Sequence, residues 1–181
     1  LVRPMLEAAL DAEWPILHGN LTRDGIRAVA KGGVGSLDAE EIKRLRLDTP
    51  LGSDLQNSLL DELVGSHCGL MARSTLTTMA DAQRYRDAYM ARRLVDAAGT
   101  YGSAVLLAGN GHVRADRGVP WHLARMAPDK RALVVMFAQA ETERADALAY
   151  VSRGADSTPL ADYILVTPRV DRPDPCVAMR K

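Results

Sequence analysis

The sequence predicts an α/β fold of three layers, in which a mostly parallel sheet is flanked by helices. Short, continuous apolar runs at residues 103–108, 131–138 and 163–167 are typical of strands that are buried on both faces. The stretches between these runs carry helical periodicity and are too long to be hairpin loops. We therefore expect βαβ units, in which the strands pair in parallel.

The helical patterns follow one another between turns that contain glycine or proline. They cover residues 4–13, 23–31, 38–45, 53–64, 76–98 and 118–126, and a partly helical pattern covers 141–150. Thr22 is placed to cap the second helix, and Ser53 or Asp54 is placed to cap the fourth. Gly99 is placed to end the long fifth helix. A further short strand is predicted at residues 14–20.

Composition and charge set the broad class of the protein. The chain has 181 residues, of which 47% are hydrophobic, and its net charge is zero. We expect one α/β domain over residues 1–181, with a proline-rich tail at 168–181. Zero net charge argues against nucleic acid or an anionic membrane surface as a partner. Because a helical pattern is already running by Pro4, we interpret the chain as lacking its natural N-terminus.

The segment 108–118 has the densest group of polar side chains in the sequence. It follows the predicted strand 103–108, and ligands of parallel sheets bind beyond the carboxyl ends of the strands. His112 is able to ligate a metal or haem iron, and Arg114 and Arg117 are suited to binding a carboxylate or phosphate. Glycines on either side of the asparagine allow the backbone to approach a ligand closely. The alternative interpretation is a solvated Asn-Gly turn with charged neighbours.

The long predicted helix, 76–98, carries a second group of polar side chains. Gln83 and Asp87 share a face with residues of core type. A buried carboxylate needs a partner, which is either the segment 108–118 or, in a purely structural pairing, an arginine such as Arg84. If Gln83 and Asp87 are both buried, the helix and the segment form two walls of one pocket.

The remaining histidines and the cysteines carry weaker signals. His67 lies beside Cys68, but the ligand spacing that is typical of zinc sites is missing, so a turn that ends a helix is the alternative. His18 ends a predicted strand, and His122 is predicted to lie on a helix surface. Cys68 and Cys176 form either a disulfide or two free thiols.

Four segments, in this order along the chain, carry a family resemblance. They are SHCG at 66–69, QRYRDAYMA at 83–91, AGNGHVRADRGVP at 108–120 and YILVTPRVDRPDPC at 163–176. Together they resemble the ChaN-like family, which is grouped with Tiki-like and erythromycin esterase-like proteins. The resemblance implies an α/β fold and a haem-binding protein of haem or iron uptake that works as a homodimer. It also implies a location in the cell envelope, in the periplasm or at the outer membrane, with any lipid anchor outside this chain.

The residues that we expect to bind the haem combine this motif with the polar elements above. They are His112, Asn110, Arg114, Arg117, Gln83, Asp87 and His67. The resemblance implies a tyrosine as the iron ligand, and the motifs do not select among Tyr85, Tyr89, Tyr101, Tyr150 and Tyr163. It favours a disulfide between Cys68 and Cys176, because the envelope is an oxidising compartment. The family's N-terminal strand segment, which ends in a glutamate–x–histidine element, is missing from these residues.

Two other functions stay open at the level of the sequence. In the Tiki-like group a glycine-x-x-histidine element belongs to a metal-dependent hydrolytic site, and residues 109–112 match this pattern. His112, with His67 or Asp87, would then hold a divalent metal ion that activates water. The other alternative is a binding module in which the two arginines of the same segment recognise an anionic small molecule or partner.

Overall fold

The computed structural model describes residues 3–142, 146–154 and 157–180. Its helices are α1 (Arg3–Asp11), α2 (Arg23–Gly32), α3 (Ala39–Arg44), α4 (Ser53–Ser66), α5 (Thr77–Tyr101), α6 (Asn110–Val113), α7 (Val119–Met126) and α8 (Pro175–Met179). Two strands, β1 (Val135–Gln139) and β2 (Tyr163–Thr167), form a parallel pair. Short 3₁₀ turns lie at Val34–Ser36, Arg73–Leu76 and Ala147–Tyr150. None of the described helices is both long and apolar enough to cross a membrane.

Local capping chemistry explains where the early helices begin. The Thr22 hydroxyl accepts a hydrogen bond from the N–H of Gly25 at 3.3 Å, so the predicted cap of α2 is confirmed. The Asp38 carboxylate accepts from the N–H of Glu41 at 2.7 Å and starts α3 in the same way. Helix α4 begins after Gly52 without a side-chain cap, so neither of the two residues predicted for that role fulfils it.

The long helix α5 extends past its predicted end. It continues through Gly99 to Tyr101, and the chain leaves the helix at Gly102 with a φ of 82°. The left-handed conformation that ends a helix costs little free energy only for glycine. Because residues 99 and 102 are both glycines, the sequence does not distinguish between them as the helix end. The predicted end at Gly99 is therefore wrong, because Gly102 adopts the terminating conformation instead.

Helix α5 lies at the centre of the packing, with α2 and α7 against it. Small side chains on α5 allow these helices to approach closely, since the distance between helix axes depends on the side chains at the contact. The most deeply buried apolar residues around α5 are Val29, Leu45, Leu76, Ala80, Ala88, Ala91 and Val119. The packed helices therefore hold α5 in place, together with the polar residues that it also carries.

The sheet is small, and the described residues cover only one of its faces. Val134 and Met136 are buried against Leu160 on the covered face. On the opposite face Phe137 pairs with Leu165, and these two side chains are 50% and 51% exposed. The strands predicted at 131–138 and 163–167 are confirmed in position, although the first begins only at Val135.

The strands predicted at residues 14–20 and 103–108 are wrong. Both segments are irregular and exposed, with Ile16 51% and Val105 72% accessible to solvent. An apolar run provides the side chains of a strand, but the backbone becomes a strand only where a neighbour completes its hydrogen-bond ladder. Within the described ranges the one sheet has two strands, so the predicted three-layer arrangement is not seen there.

The partly helical pattern at 141–150 is only partly realised. Ala147–Tyr150 forms a 3₁₀ turn that begins with an Asp146 cap, whose carboxylate accepts from the N–H of Leu148. Residues 143–145 lie outside the described part of the chain. The pattern therefore yields one short turn among the residues that the structure describes.

A disulfide joins Cys68 to Cys176. Cys68 lies just after α4, with a φ of 58°, and Cys176 lies in α8 near the end of the described chain. The two cysteines are 108 residues apart in sequence. The bond therefore ties the proline-rich tail to the end of α4.

Candidate functional site

The segment 108–118 folds onto its neighbours instead of forming an open loop. Its first half is the single-turn helix α6, and the Asn110 side-chain amide donates to the carbonyl oxygen of Phe137 in β1 at 2.7 Å. The chain then turns back, and the N–H of Gly118 donates to the carbonyl oxygen of Arg114 at 2.9 Å. These hydrogen bonds hold the segment beside β1 and fix the direction of its polar side chains.

His112 contacts the polar face of α5. Its Nδ1 lies 2.5 Å from Oδ1 of Asp87 and 2.8 Å from Nε2 of Gln83. The side chains of Asp87 and His112 are 4% and 14% exposed. The structure thus brings three of the predicted residues together. The partner of Asp87 is His112 and not Arg84, which pairs with Asp81.

Burial controls the protonation of this cluster. It raises the pKa of the Asp87 carboxyl to about 6, although the hydrogen bond and charge of His112 oppose the rise. When Asp87 is ionised it accepts the hydrogen of Nδ1. A neutral imidazole in this arrangement keeps its lone pair on Nε2. Such a nitrogen is suited to accepting a proton or ligating a metal.

The two arginines of the segment converge on Glu62 of α4. The Nη2 of Arg117 lies 2.5 Å from Oε2 of Glu62, and the Nη1 of Arg114 lies 3.2 Å from the same oxygen. Arg114 also makes two hydrogen bonds to Asp116, at 3.0 and 2.7 Å, and the Asp116 side chain is fully buried. Sequence reasoning missed Glu62, because it lies on another helix and no local pattern marks the contact.

The other predicted histidine, His67, lies outside this cluster. Its Nδ1 is 2.8 Å from the carbonyl oxygen of Leu63 at the end of α4, and no hydrogen bond within the described ranges joins it to His112. Its position matches the alternative of a turn that ends a helix. Among the residues that the structure describes, no group of three or more His, Cys, Asp and Glu side chains is placed to hold a metal ion.

Two cavities open on the sheet side of the segment. The smaller, of about 290 Å³, is lined by Glu62, Asn110, Gly111, Arg114, Met136, Phe137, Ala138, Tyr150, Ser152, Leu160 and Ile164. The larger, of about 640 Å³, shares Asn110, Phe137 and Tyr150 with it and also borders Arg169 and Arg172. Gln83 and Asp87 contact His112 directly and line neither cavity. Both cavities therefore lie on the side of the segment that faces β1.

The prediction that His122 lies on a helix surface is wrong. Its side chain is 1% exposed, and its ring packs edge-on against Trp121. Its Nε2 has no hydrogen-bond partner within the described residues. Burial, together with the nearby charges of Arg84 and Arg125, lowers the pKa of His122 to about 3. His122 therefore acts as a neutral core residue of α7.

We expect the burial of His122 to make the protein sensitive to acid. Because its pKa falls from 6.5 to about 3 on folding, its contribution is complete above pH 6.5 and is lost as the pH falls toward 3. Relative to His122→Gln, which stays neutral, the wild type should lose up to about 1.4 kcal/mol of unfolding free energy per pH unit. Urea unfolding of both proteins between pH 7 and pH 4 measures this difference.

The comparison with His122→Gln is needed because Asp87 acts in the opposite direction. Its raised pKa favours the folded state as the pH falls from about 6 to 3.8. The Asp87 effect is the same in both proteins and cancels in the difference. If the unfolding free energies of the two proteins change in parallel with pH over this range, the lowered pKa of His122 is contradicted.

The fold and site define a class of protein. It is an α/β protein in which a glycine-rich segment carries two arginines and a histidine that pairs with Asp87 of the central helix, next to two cavities. The chain belongs to the family described as "Haem-binding uptake, Tiki superfamily, ChaN", whose model matches residues 1–123. The resemblance seen in the sequence is thereby confirmed. Comparisons with curated proteins and with solved structures found no match.

Proposed function

We propose that the protein binds haem in the cell envelope and takes part in haem or iron uptake. The observation that carries this proposal is the family match, which covers helices α1 to α5 and the whole segment 108–118. Haem requires an axial ligand, an apolar surface for the ring and cations or donors for the propionates.

The apolar surface and the cations are both available. Met136, Leu160 and Ile164 provide apolar walls in the smaller cavity, and Arg114 also lines it. Arginine pairs well with carboxylates because its planar donors match both oxygens. The residues present therefore fit a flat, apolar ligand with acidic groups at its edge.

Tyr150 is the tyrosine that we propose as the iron ligand. It lines both cavities and is 7% exposed, and its hydroxyl accepts a hydrogen bond from the N–H of Glu141 at 2.7 Å. Tyr101 and Tyr163 are more than half exposed, and the Tyr85 hydroxyl donates to Glu41 at 3.2 Å. His112 lines neither cavity, so we propose that it positions the segment.

Two features support the proposed location and assembly. The disulfide between Cys68 and Cys176 is of the kind that persists in oxidising compartments such as the periplasm. The open face of the sheet, with Phe137 and Leu165, offers an apolar surface of the kind that homodimers bury. A lipid anchor outside this chain completes the proposed attachment to the outer membrane.

Titration with hemin, followed at the Soret band, tests the proposed function. We expect a saturable Soret shift at one hemin per chain for the wild type. Tyr150→Phe should weaken binding by more than about tenfold, since it removes the ligand oxygen but keeps the ring. Tyr163→Phe, a matched change at an exposed position on β2, should bind as the wild type does.

The outcomes separate the two parts of the proposal. The absence of a Soret shift in the wild type at stoichiometric hemin would refute haem binding. Wild-type affinity in Tyr150→Phe would refute the assigned ligand and leave haem binding intact.

A further inference from the structure

The carboxylate of Glu62 is held by two guanidinium groups at once. Arg114 and Arg117 both donate to its Oε2, at 3.2 and 2.5 Å. Gly111 leaves room for this approach, because a Cβ at that position would lie 3.0 Å from Oε1 of Glu62, closer than an ordinary contact. The backbone of the segment thus leaves room for a carboxylate beside the two arginines.

The charges of this cluster balance only while Glu62 is in place. Asp116 neutralises Arg114 through two hydrogen bonds. Arg117 is 2% exposed, its ion pair in the described part of the chain is with Glu62, and its Nε has no hydrogen-bond partner there. A buried guanidinium is costly without an anion, so a negative group at the position of the Glu62 carboxylate is favoured, in addition to the nearby charge of Asp87.

The side chain of Glu62 is much more exposed to solvent than those of its partners. Its side chain is 42% exposed, whereas those of Arg114 and Arg117 are 15% and 2% exposed. Glu62 and Arg114 also line the cavity of about 290 Å³, together with apolar side chains such as Met136. A carboxylate at the edge of a ligand in this cavity can therefore reach the arginines once Glu62 rotates outward into water.

We propose that Arg114 and Arg117 form a binding site for a ligand carboxylate, and that Glu62 occupies this site until the ligand displaces it. The ligand is an apolar molecule with an acidic edge. If the proposed function is correct, on which this identification rests, the acidic group is a haem propionate. Glu62 then acts as an internal competitor that keeps the buried arginine charge paired in the free protein.

Replacing Glu62 by glutamine tests the proposal, because glutamine keeps the shape and removes the charge. We expect Glu62→Gln to bind hemin about three- to tenfold more tightly than the wild type. Hemin dimethyl ester, whose propionates carry no charge, should bind both proteins equally. The matched control is Asp61→Asn, which removes the neighbouring acid on α4. Asp61 pairs with the surface residue Arg73 and not with the two arginines of the segment. This variant should bind hemin as the wild type does.

A hemin affinity of Glu62→Gln equal to or weaker than that of the wild type would overturn the proposal, and so would an equal gain for the dimethyl ester. If the wild type binds neither porphyrin, the proposed function fails on its own. Calorimetric titration with succinate then decides the carboxylate site. Tighter succinate binding by Glu62→Gln than by the wild type supports the site, and equal or absent binding overturns it.

Discussion

Replacing Cys176 by serine is expected to lower the free energy of unfolding by about 2–5 kcal/mol. The disulfide with Cys68 closes a loop of 108 residues, and a loop of this length removes much entropy from the unfolded chain. The bond is also the covalent link between α8 and the end of α4, so its loss should release the tail. Urea unfolding of the oxidised wild type and of Cys176→Ser measures the difference.

A reducing agent provides the control for this prediction. Reduced wild type should match Cys176→Ser, and the variant itself should not respond to the reductant. Cys68→Ser should reproduce the effect, since either change removes the same bond. If the oxidised wild type and both variants unfold at the same urea concentration, the disulfide contributes nothing to stability and the prediction is wrong.

Replacing Gly118 by alanine is expected to destabilise the protein by about 1–3 kcal/mol or more, and to disturb the site. A Cβ at this position would clash with the carbonyl oxygen of His112 and would lie 2.8 Å from that of Arg114. Both atoms belong to the backbone, which can relieve the clash only by moving the segment. The displaced segment would also carry Arg114 away from the cavity wall, so we expect weaker hemin binding.

Gly109→Ala is the matched control for Gly118→Ala. Gly109 lies in the same segment, its φ of −68° suits alanine, and no atom of the described residues lies within 4 Å of a Cβ added there. Its unfolding free energy should stay within about 1 kcal/mol of the wild type. Urea unfolding and hemin titration of both variants measure the two effects. Equal behaviour of the two variants would show that the close contact at Gly118 does not matter.

The sequence alone was sufficient to predict most of the helices and the family to which the chain belongs. Helical periodicity is a local property, so α2, α5 and α7 lie where their patterns predict. The Thr22 cap of α2 is equally local, since donor and acceptor are three residues apart. The motif around His112 indicates the family for the same reason, because its residues are contiguous.

The number of strands and the shape of the site depend on contacts between distant parts of the chain. Residues 103–108 have the composition of a strand but no ladder partner in the described structure, whereas the similar run at Tyr163–Thr167 has one in β1. His122 shows the same limit, because its neighbours on α7 do not reveal that other elements bury it.

The charged residues of the site were likewise only partly predictable from the sequence. The sequence indicates that His112, Arg114 and Arg117 form a polar group, because they lie within six positions of one another. It does not reveal Glu62, which lies 52 residues before Arg114 and meets it only when α4 packs beside the segment. Periodicity and motifs depend on residues that are neighbours in the sequence. Strand pairing, burial and charge balance depend on residues that only folding brings into contact.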